Sequence, residues 1–110
     1  MIKKTGGFEK SLENESLVIK IRGEIDHHSA VDIRGDIDRL IYELSPRRLV
    51  MDLSVVDFMD SSGLGLIMGR YSVMSGLGGE TVLRDPSPSI LKIIKLAGLE
   101  RMIKIEKSKK

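Results

Sequence analysis

The chain has 110 residues, of which 41% are hydrophobic, and a formal net charge of +2 at pH 7. This length predicts one domain over residues 1–110, and an aromatic content of only 4% argues against a stacking surface for single-stranded nucleic acid. The absence of cysteine excludes disulfides, thiolate metal ligands and cysteine nucleophiles. Because the sequence contains neither a signal-peptide pattern nor an apolar run near ~18 residues, we expect a cytoplasmic protein without membrane or nucleic-acid partners.

A hairpin is predicted at the start of the chain. Residues 8–12 are typical of a short edge strand, and the polar run 13–15 is typical of a turn. Apolar and polar side chains then alternate over residues 17–22, which predicts a half-buried strand ending at Gly23. The two strands are close enough in sequence to pair antiparallel.

Helices and strands alternate after this hairpin. A helix is predicted with its N-cap at Ser29, Asp32 three residues later and a stop at Pro46. The following elements are a strand over 48–53, a helix whose apolar residues run from Leu64 to Met74, a strand over 80–84, a helix capped by Ser87 with Pro88 in first position, and a strand over 102–105. This order predicts an α/β fold, a small mixed sheet of four to five strands with three main helices packed against it. The ordered core is expected over 8–106, with flexible ends at 1–7 and 107–110.

The junction before the second helix has an unusual composition. An apolar run through Phe58 and Met59 ends at Asp60, and Ser61 and Ser62 follow directly. A hydroxyl at a helix start lies near free backbone N–H groups and the positive end of the helix dipole. It can cap the helix, and after phosphorylation it would hold a dianion where negative charge is tolerated. Capping and modification therefore both remain open for these serines.

Asp26 and Asp60 each follow a predicted strand. The carboxyl ends of parallel strands meet at one edge of a sheet, so both carboxylates would flank Ser61 with negative charge. Each aspartate can instead cap the helix that follows it. A paired-carboxylate acid–base site is the third alternative, but no apolar pocket that would raise either pKa is evident.

Other motifs give weaker signals. Gly63 and Gly65 form a Gly-x-Gly after a strand, but Met68 occupies the place of the third glycine of a dinucleotide fingerprint. Close packing of the helix start against the sheet is the alternative explanation for the glycines. His27 and His28 are adjacent in a loop, a poor arrangement for one metal ion or for a catalytic triad. We therefore expect no catalytic residue, no metal and no cofactor.

Residues 60–65, Asp-Ser-Ser-Gly-Leu-Gly, together with Phe58-Met59 and the Gly-Glu-Ile-Asp-His-His of residues 23–28, resemble a known family. The chain is similar to the anti-sigma factor antagonists, which belong to the STAS (sulfate transporter and anti-sigma antagonist) domains. The resemblance covers about residues 8–106 and includes residues 69–71, 78–79 and 96–99. The Asp-His-His sequence is most similar to the sporulation branch of this family.

The resemblance implies a regulatory protein that is not an enzyme. The unphosphorylated antagonist binds an anti-sigma factor that is also a serine kinase, and the sigma factor is freed by this partner switching. The kinase phosphorylates the antagonist, which releases it, and a serine phosphatase restores the binding form. Ser61 is the implied phosphorylation site, with Ser62 as second choice, and a monomer is expected. The implied partner-binding residues are Asp26, His27, His28, Phe58, Met59, Asp60, Ser61, Ser62, Gly63 and Leu64.

Two other functions stay open at this point. One is a STAS subunit of a membrane transport complex that is never phosphorylated, and the other is a nucleotide-binding α/β module. The serine at position 61 and the Asp-His-His loop favour the phosphorylation switch.

Overall fold

A mixed sheet of five strands forms the framework of the computed structural model, which describes residues 7–108. The strands are β1 (Phe8–Glu13), β2 (Ser16–Ile25), β3 (Arg48–Met59), β4 (Glu80–Arg84) and β5 (Lys104–Glu106). The helices are α1 (His27–Leu44), α2 (Ser61–Gly76) and α3 (Pro88–Leu96), and a short 3-10 turn covers Leu99–Arg101. No helix within 7–108 has the length and apolar character needed to cross a membrane.

The strands lie in the sheet in the same order as in the sequence. The hairpin partners β1 and β2 are antiparallel, and every later pair is parallel. Right-handed crossovers that always advance in one direction place all connecting helices on one face of the sheet. The predicted mixed α/β sheet with an N-terminal hairpin and three helices is therefore confirmed.

The main core lies between the sheet and the helices. Alternate residues of β2 and β3, including Ile19 and Met51, pack there with the buried isoleucines of α1 and with Ile67 of α2. A second, smaller cluster lies on the helix-free face and consists of Val18, Val50 and Val82, which are neighbours in the strand register.

Ion pairs cross the helix-free face beside these valines. Arg84 Nε lies 3.0 Å from Glu106 Oε2, and Arg48 Nη2 lies 3.4 Å from Glu106 Oε1. Arg84 also approaches Glu13, 3.6 Å away across the sheet. Long arginine side chains can cover apolar surface with their stems while their charged ends remain paired, which accounts for buried valines on a face without helices.

Several predicted boundaries need correction. Helix α1 begins at His27, because Asp26 is its N-cap; Ser29, predicted as the cap, is the third residue of the helix. Strand β3 continues to Met59 instead of ending at 53, and β2 continues to Ile25 through irregularities in register that keep the two strands paired. The last strand begins at 104, since the unpredicted 3-10 turn precedes it. By contrast, β4 and the Ser87 cap of α3 are confirmed.

The predicted flexible ends, 1–7 and 107–110, lie mostly outside the described residues. Within the described part, the Gly7 carbonyl accepts a hydrogen bond from Arg22 N–H. The Ser108 hydroxyl donates to the Asp85 carboxylate over 2.6 Å. The extent of the domain, 1–110, stays a prediction.

One ion pair joins α1 to α2 in the interior. Arg70 Nε lies 2.9 Å from Asp38 Oδ1, with side-chain exposures of 6% and 29%. The contact is not a well-aligned hydrogen bond, and Arg70 Nη1 finds no hydrogen-bond partner among residues 7–108. Burial lowers the pKa of Arg70, and the Asp38 charge opposes this shift. The guanidinium therefore depends on Asp38 for compensation.

Replacing Asp38 by alanine should destabilise the protein. The substitution leaves a buried cation uncompensated, and because Asp38 is itself partly exposed we expect a loss of about 1 to 3 kcal/mol in the free energy of unfolding. Asp36→Ala is the matched control, since Asp36 pairs with Arg39 on the exposed side of the same helix and should cost below about 0.5 kcal/mol. Urea denaturation measures both values. Equal losses for the two variants would contradict the structural role given to the Asp38–Arg70 pair.

Candidate functional site

Two helices begin side by side at the carboxyl edge of the sheet. Ile25 and Met59 are the last paired residues of the parallel strands β2 and β3. The Asp60 N–H then donates to the Ile25 carbonyl over 3.3 Å. Asp26 and Asp60 consequently leave adjacent strands at the same edge, and α1 and α2 start immediately after them.

Both aspartates cap the helices that they precede. Asp26 Oδ1 accepts from Ser29 N–H, and Ser29 Oγ accepts from Asp26 N–H, each over 3.0 Å, which completes a capping box. Asp60 Oδ1 accepts from Ser62 N–H over 2.8 Å. The capping alternative is therefore confirmed for both aspartates.

The electrostatics of Asp26 argue against acid–base chemistry. The hydrogen bond from Ser29 N–H, with smaller contributions from the Ser29 hydroxyl and the charge of His28, lowers the pKa of Asp26. A general acid at neutral pH needs a raised carboxyl pKa. The paired-carboxylate alternative thus lacks support from this geometry.

Ser61 is the first residue of α2, and its side chain is exposed. Its hydroxyl makes no hydrogen bond with any described residue, because Asp60 has taken the N-cap position. Ser62 is half-buried. Because Asp60 is the N-cap of α2, neither serine caps this helix, which was one of the two alternatives left open by the sequence. The Ser61 hydroxyl is accessible at the positive end of α2 and is not used by the fold.

The other predicted partner-binding residues differ in accessibility. Phe58 is 49% exposed, His27 and His28 are exposed with their ring centroids 6.0 Å apart, and Leu64 is half-buried. Met59 and Gly63 are buried beneath this surface. Met59 and Gly63 therefore support the site from the interior, whereas the side chains around Ser61 are exposed to solvent.

Gly63 allows α2 to approach the sheet closely. A Cβ atom at this position would overlap Met59 Cγ and would lie 3.2 Å from Ile25 Cγ2. A Cβ at Gly65 would meet no atom within 4 Å. The close-packing alternative is confirmed for Gly63, and the dinucleotide interpretation of this glycine is no longer needed.

The structure adds residues that the sequence reasoning did not select. A groove of about 260 Å³ lies between the first turns of α1 and α2 and includes Ser62, His27 and Arg34. Arg34 forms no ion pair with the part of the chain described. Val55 and Asp57 of β3 are also exposed close to the site. No sequence signal selected them, because their exposure depends on where the neighbouring strand ends.

A cavity of about 1010 Å³ is lined by residues of the turns at the opposite, amino-terminal ends of the parallel strands, such as Asn14, Pro46 and Gly78. Across residues 7–108, no group of three or more His, Asp or Glu side chains is arranged to hold a metal ion.

Comparison with known proteins identifies the family. The STAS domain model matches residues 4–110, and the chain belongs to this family. It is 38% identical over 85 residues to the anti-sigma F factor antagonist of Lysinibacillus sphaericus, covering 77% of this chain and 73% of that protein.

Two solved structures of SpoIIAA proteins are also similar to this chain. The anti-sigma factor antagonist SpoIIAA in its unphosphorylated form matches with a TM-score of 0.82 and 30% identity, over 94% of this chain and 90% of that one. The phosphorylated form of SpoIIAA, a Bacillus cell fate determinant, matches with a TM-score of 0.75 and 30% identity, over 94% and 93%. The resemblance seen in the sequence is confirmed.

Gly63→Ala should destabilise the protein by about 1 to 3 kcal/mol, because the new methyl group overlaps the buried Met59 side chain. Gly65→Ala, two residues later in the same helix, should be neutral or stabilise by up to about 1 kcal/mol. Chemical denaturation of both variants measures the difference. A Gly63→Ala protein as stable as Gly65→Ala would contradict the close approach.

Asp26→Asn should reduce stability at neutral pH but not in acid. The folded-state pKa of Asp26 lies below its ordinary value of 3.8, so the charged cap stabilises above that value and its contribution is lost as pH falls through the folded pKa. The difference in melting temperature between the two proteins should therefore shrink below pH 3.8. Asp57→Asn is the control for charge alone. A difference that stays constant down to full protonation would contradict this assignment.

Proposed function

We propose that this chain is an anti-sigma factor antagonist controlled by phosphorylation of Ser61. In its unphosphorylated form it binds an anti-sigma factor and thereby frees a sigma factor. The observation that carries the proposal is the position of Ser61. It is the first residue of α2, its side chain is exposed, and its hydroxyl forms no hydrogen bond with the described residues. The relative named anti-sigma F factor antagonist supports the same function.

The Ser61 position can hold a phosphate without rearrangement of the fold. Phosphorylation adds about −1.5 to −2 charges. The first turn of α2 contains no acidic side chain, and the repulsion from the adjacent Asp60 carboxylate, which accepts from Ser62 N–H, is opposed by the helix dipole. The positive end of the α2 dipole favours negative charge there, although the N–H groups of Ser62, Gly63 and Leu64 are already bonded to Asp60. SpoIIAA has been solved in a phosphorylated form, which is similar in fold to this chain.

A docked partner would tolerate the phosphate less well than the helix does. Binding over Phe58 and His27 would cover Ser61, so the dianion would have to lose water against a surface complementary to a neutral hydroxyl. An unpaired charge in an interface costs a few kcal/mol, and about 2.7 kcal/mol corresponds to a hundredfold change in affinity. A local penalty is therefore sufficient for release.

The chemistry of the switch is supplied by its partners. In the proposed transfer, the Ser61 oxygen attacks the γ-phosphorus of ATP held by the anti-sigma factor kinase, a serine O–P bond forms, and ADP leaves. The hydroxyl proton passes to a base of the kinase, since Asp60 is occupied as the cap of α2. A serine phosphatase then hydrolyses the ester with water. This chain acts as a regulatory binding protein in the cytoplasm, a monomer in its free form, and contributes only the acceptor.

Mass spectrometry after incubation with the kinase and ATP tests the site. Wild type and Ser62→Ala should each gain one phosphoryl group, and Ser61→Ala should gain none. Ser61→Asp should bind the ADP-loaded kinase roughly a hundredfold more weakly than Ser61→Ala in calorimetry. Full phosphorylation of the Ser61→Ala variant would show that another residue is modified. Absence of phosphorylation in the Ser62→Ala variant would likewise contradict the assignment to Ser61.

A further inference from the structure

The second half of β3 has a free edge. Strand β4 pairs with β3 only from Arg48 to Asp52, whereas β2 follows β3 as far as Met59. Between Ser54 and Met59, the backbone groups that point away from β2 form no hydrogen bond with other main-chain groups of residues 7–108. This edge, which we call the β3 free edge, ends directly at Asp60 and Ser61.

The side chains at the β3 free edge are apolar and acidic. Val55 is 40% exposed and Phe58 49% exposed, and Asp57 between them is exposed as well. Asp57 forms no ion pair with the described part of the chain.

The β3 free edge has only part of the usual protection of an open strand, an exposed Asp57 at an irregularity in the register with β2. Edge strands are commonly guarded by lysine, proline or shortness, because unpaired N–H and C=O groups are a template for another strand. The β1 edge carries charged side chains including Glu9 and Lys10, and β5 has only three residues. The β3 free edge has no lysine or proline and presents two large apolar side chains instead.

We propose that the β3 free edge binds an extended segment of the anti-sigma factor, which adds to the sheet as a further strand. Main-chain hydrogen bonds would supply affinity, and alternate side chains would supply specificity. The unpaired Asp57 carboxylate selects a segment with a basic side chain, and Val55 and Phe58 select apolar side chains on either side of it. The inference rests on the proposed function and adds how the partner is held beside Ser61.

Hydrogen–deuterium exchange of the wild-type protein tests the pairing. With the ADP-loaded anti-sigma factor from the same genome, amides within residues 54–59 that point away from β2 should become at least tenfold more protected than in the free protein. Protection that appears without the partner as concentration rises would make the edge a contact between two copies of this chain and would overturn the proposal.

Variants test the side chains independently. Val55→Ala and Asp57→Lys should each weaken binding by roughly tenfold, as expected when an interface loses an anchor or gains a like charge. Leu77→Ala and Glu43→Lys, exposed residues away from the edge, should leave affinity unchanged. If wild type binds but residues 54–59 stay unprotected and the edge variants match their controls, the edge proposal is wrong and the proposed function stands. If wild type does not bind at all, the proposed function itself fails.

Discussion

The parallel pairing of β2 with β3 up to Ile25 and Met59 is the constraint on which the site depends. An aspartate follows each strand directly, and each aspartate caps the next helix. Because the strands end level with one another, the two helix starts are forced to be neighbours. Residues separated by more than thirty positions in sequence, His27 and Ser61, thereby come to the same edge of the sheet. Earlier separation of the strands would leave the same motifs apart.

Two further contacts hold the helices in this arrangement. Gly63 lets the first turn of α2 lie against Met59 and Ile25, and the Asp38–Arg70 ion pair ties α2 to α1 farther from the sheet edge. The Gly63 contact is apolar and depends on the absence of a Cβ atom. The Asp38–Arg70 contact is electrostatic and depends on two opposite charges in a partly buried environment. Neither involves the exposed groups around Ser61. The support of the site and its exposed surface are therefore made of different residues.

The sequence was most informative where a local signal and a global pattern agree. Ser87 and Pro88 mark the start of α3, and the alternation of elements predicts the mixed sheet, because capping, turn chemistry and hydrophobic period all act within a few residues. The N-cap of α1 was misassigned to Ser29 because Asp26 and Ser29 each accept a hydrogen bond from the other's backbone N–H, so both have the chemistry of a cap. The length of β3 could not be predicted, since it depends on the continued pairing with β2, and the exposure of Val55 could not be predicted, since it depends on where β4 ends.

The division of roles between Asp60 and Ser61 explains how a switch can be placed at a helix start without weakening the helix. If the Ser61 hydroxyl were the N-cap, phosphorylation would change the group that satisfies the first free N–H of α2. Asp60 is the N-cap and accepts a hydrogen bond from Ser62 N–H. The Ser61 hydroxyl therefore does not stabilise the helix, and its modification removes no structural contact. A phosphate there meets the helix dipole, which favours it, and solvent, which hydrates it. Apart from repulsion by the adjacent Asp60 carboxylate, its cost arises when a second protein covers it, so the modification acts mainly on binding.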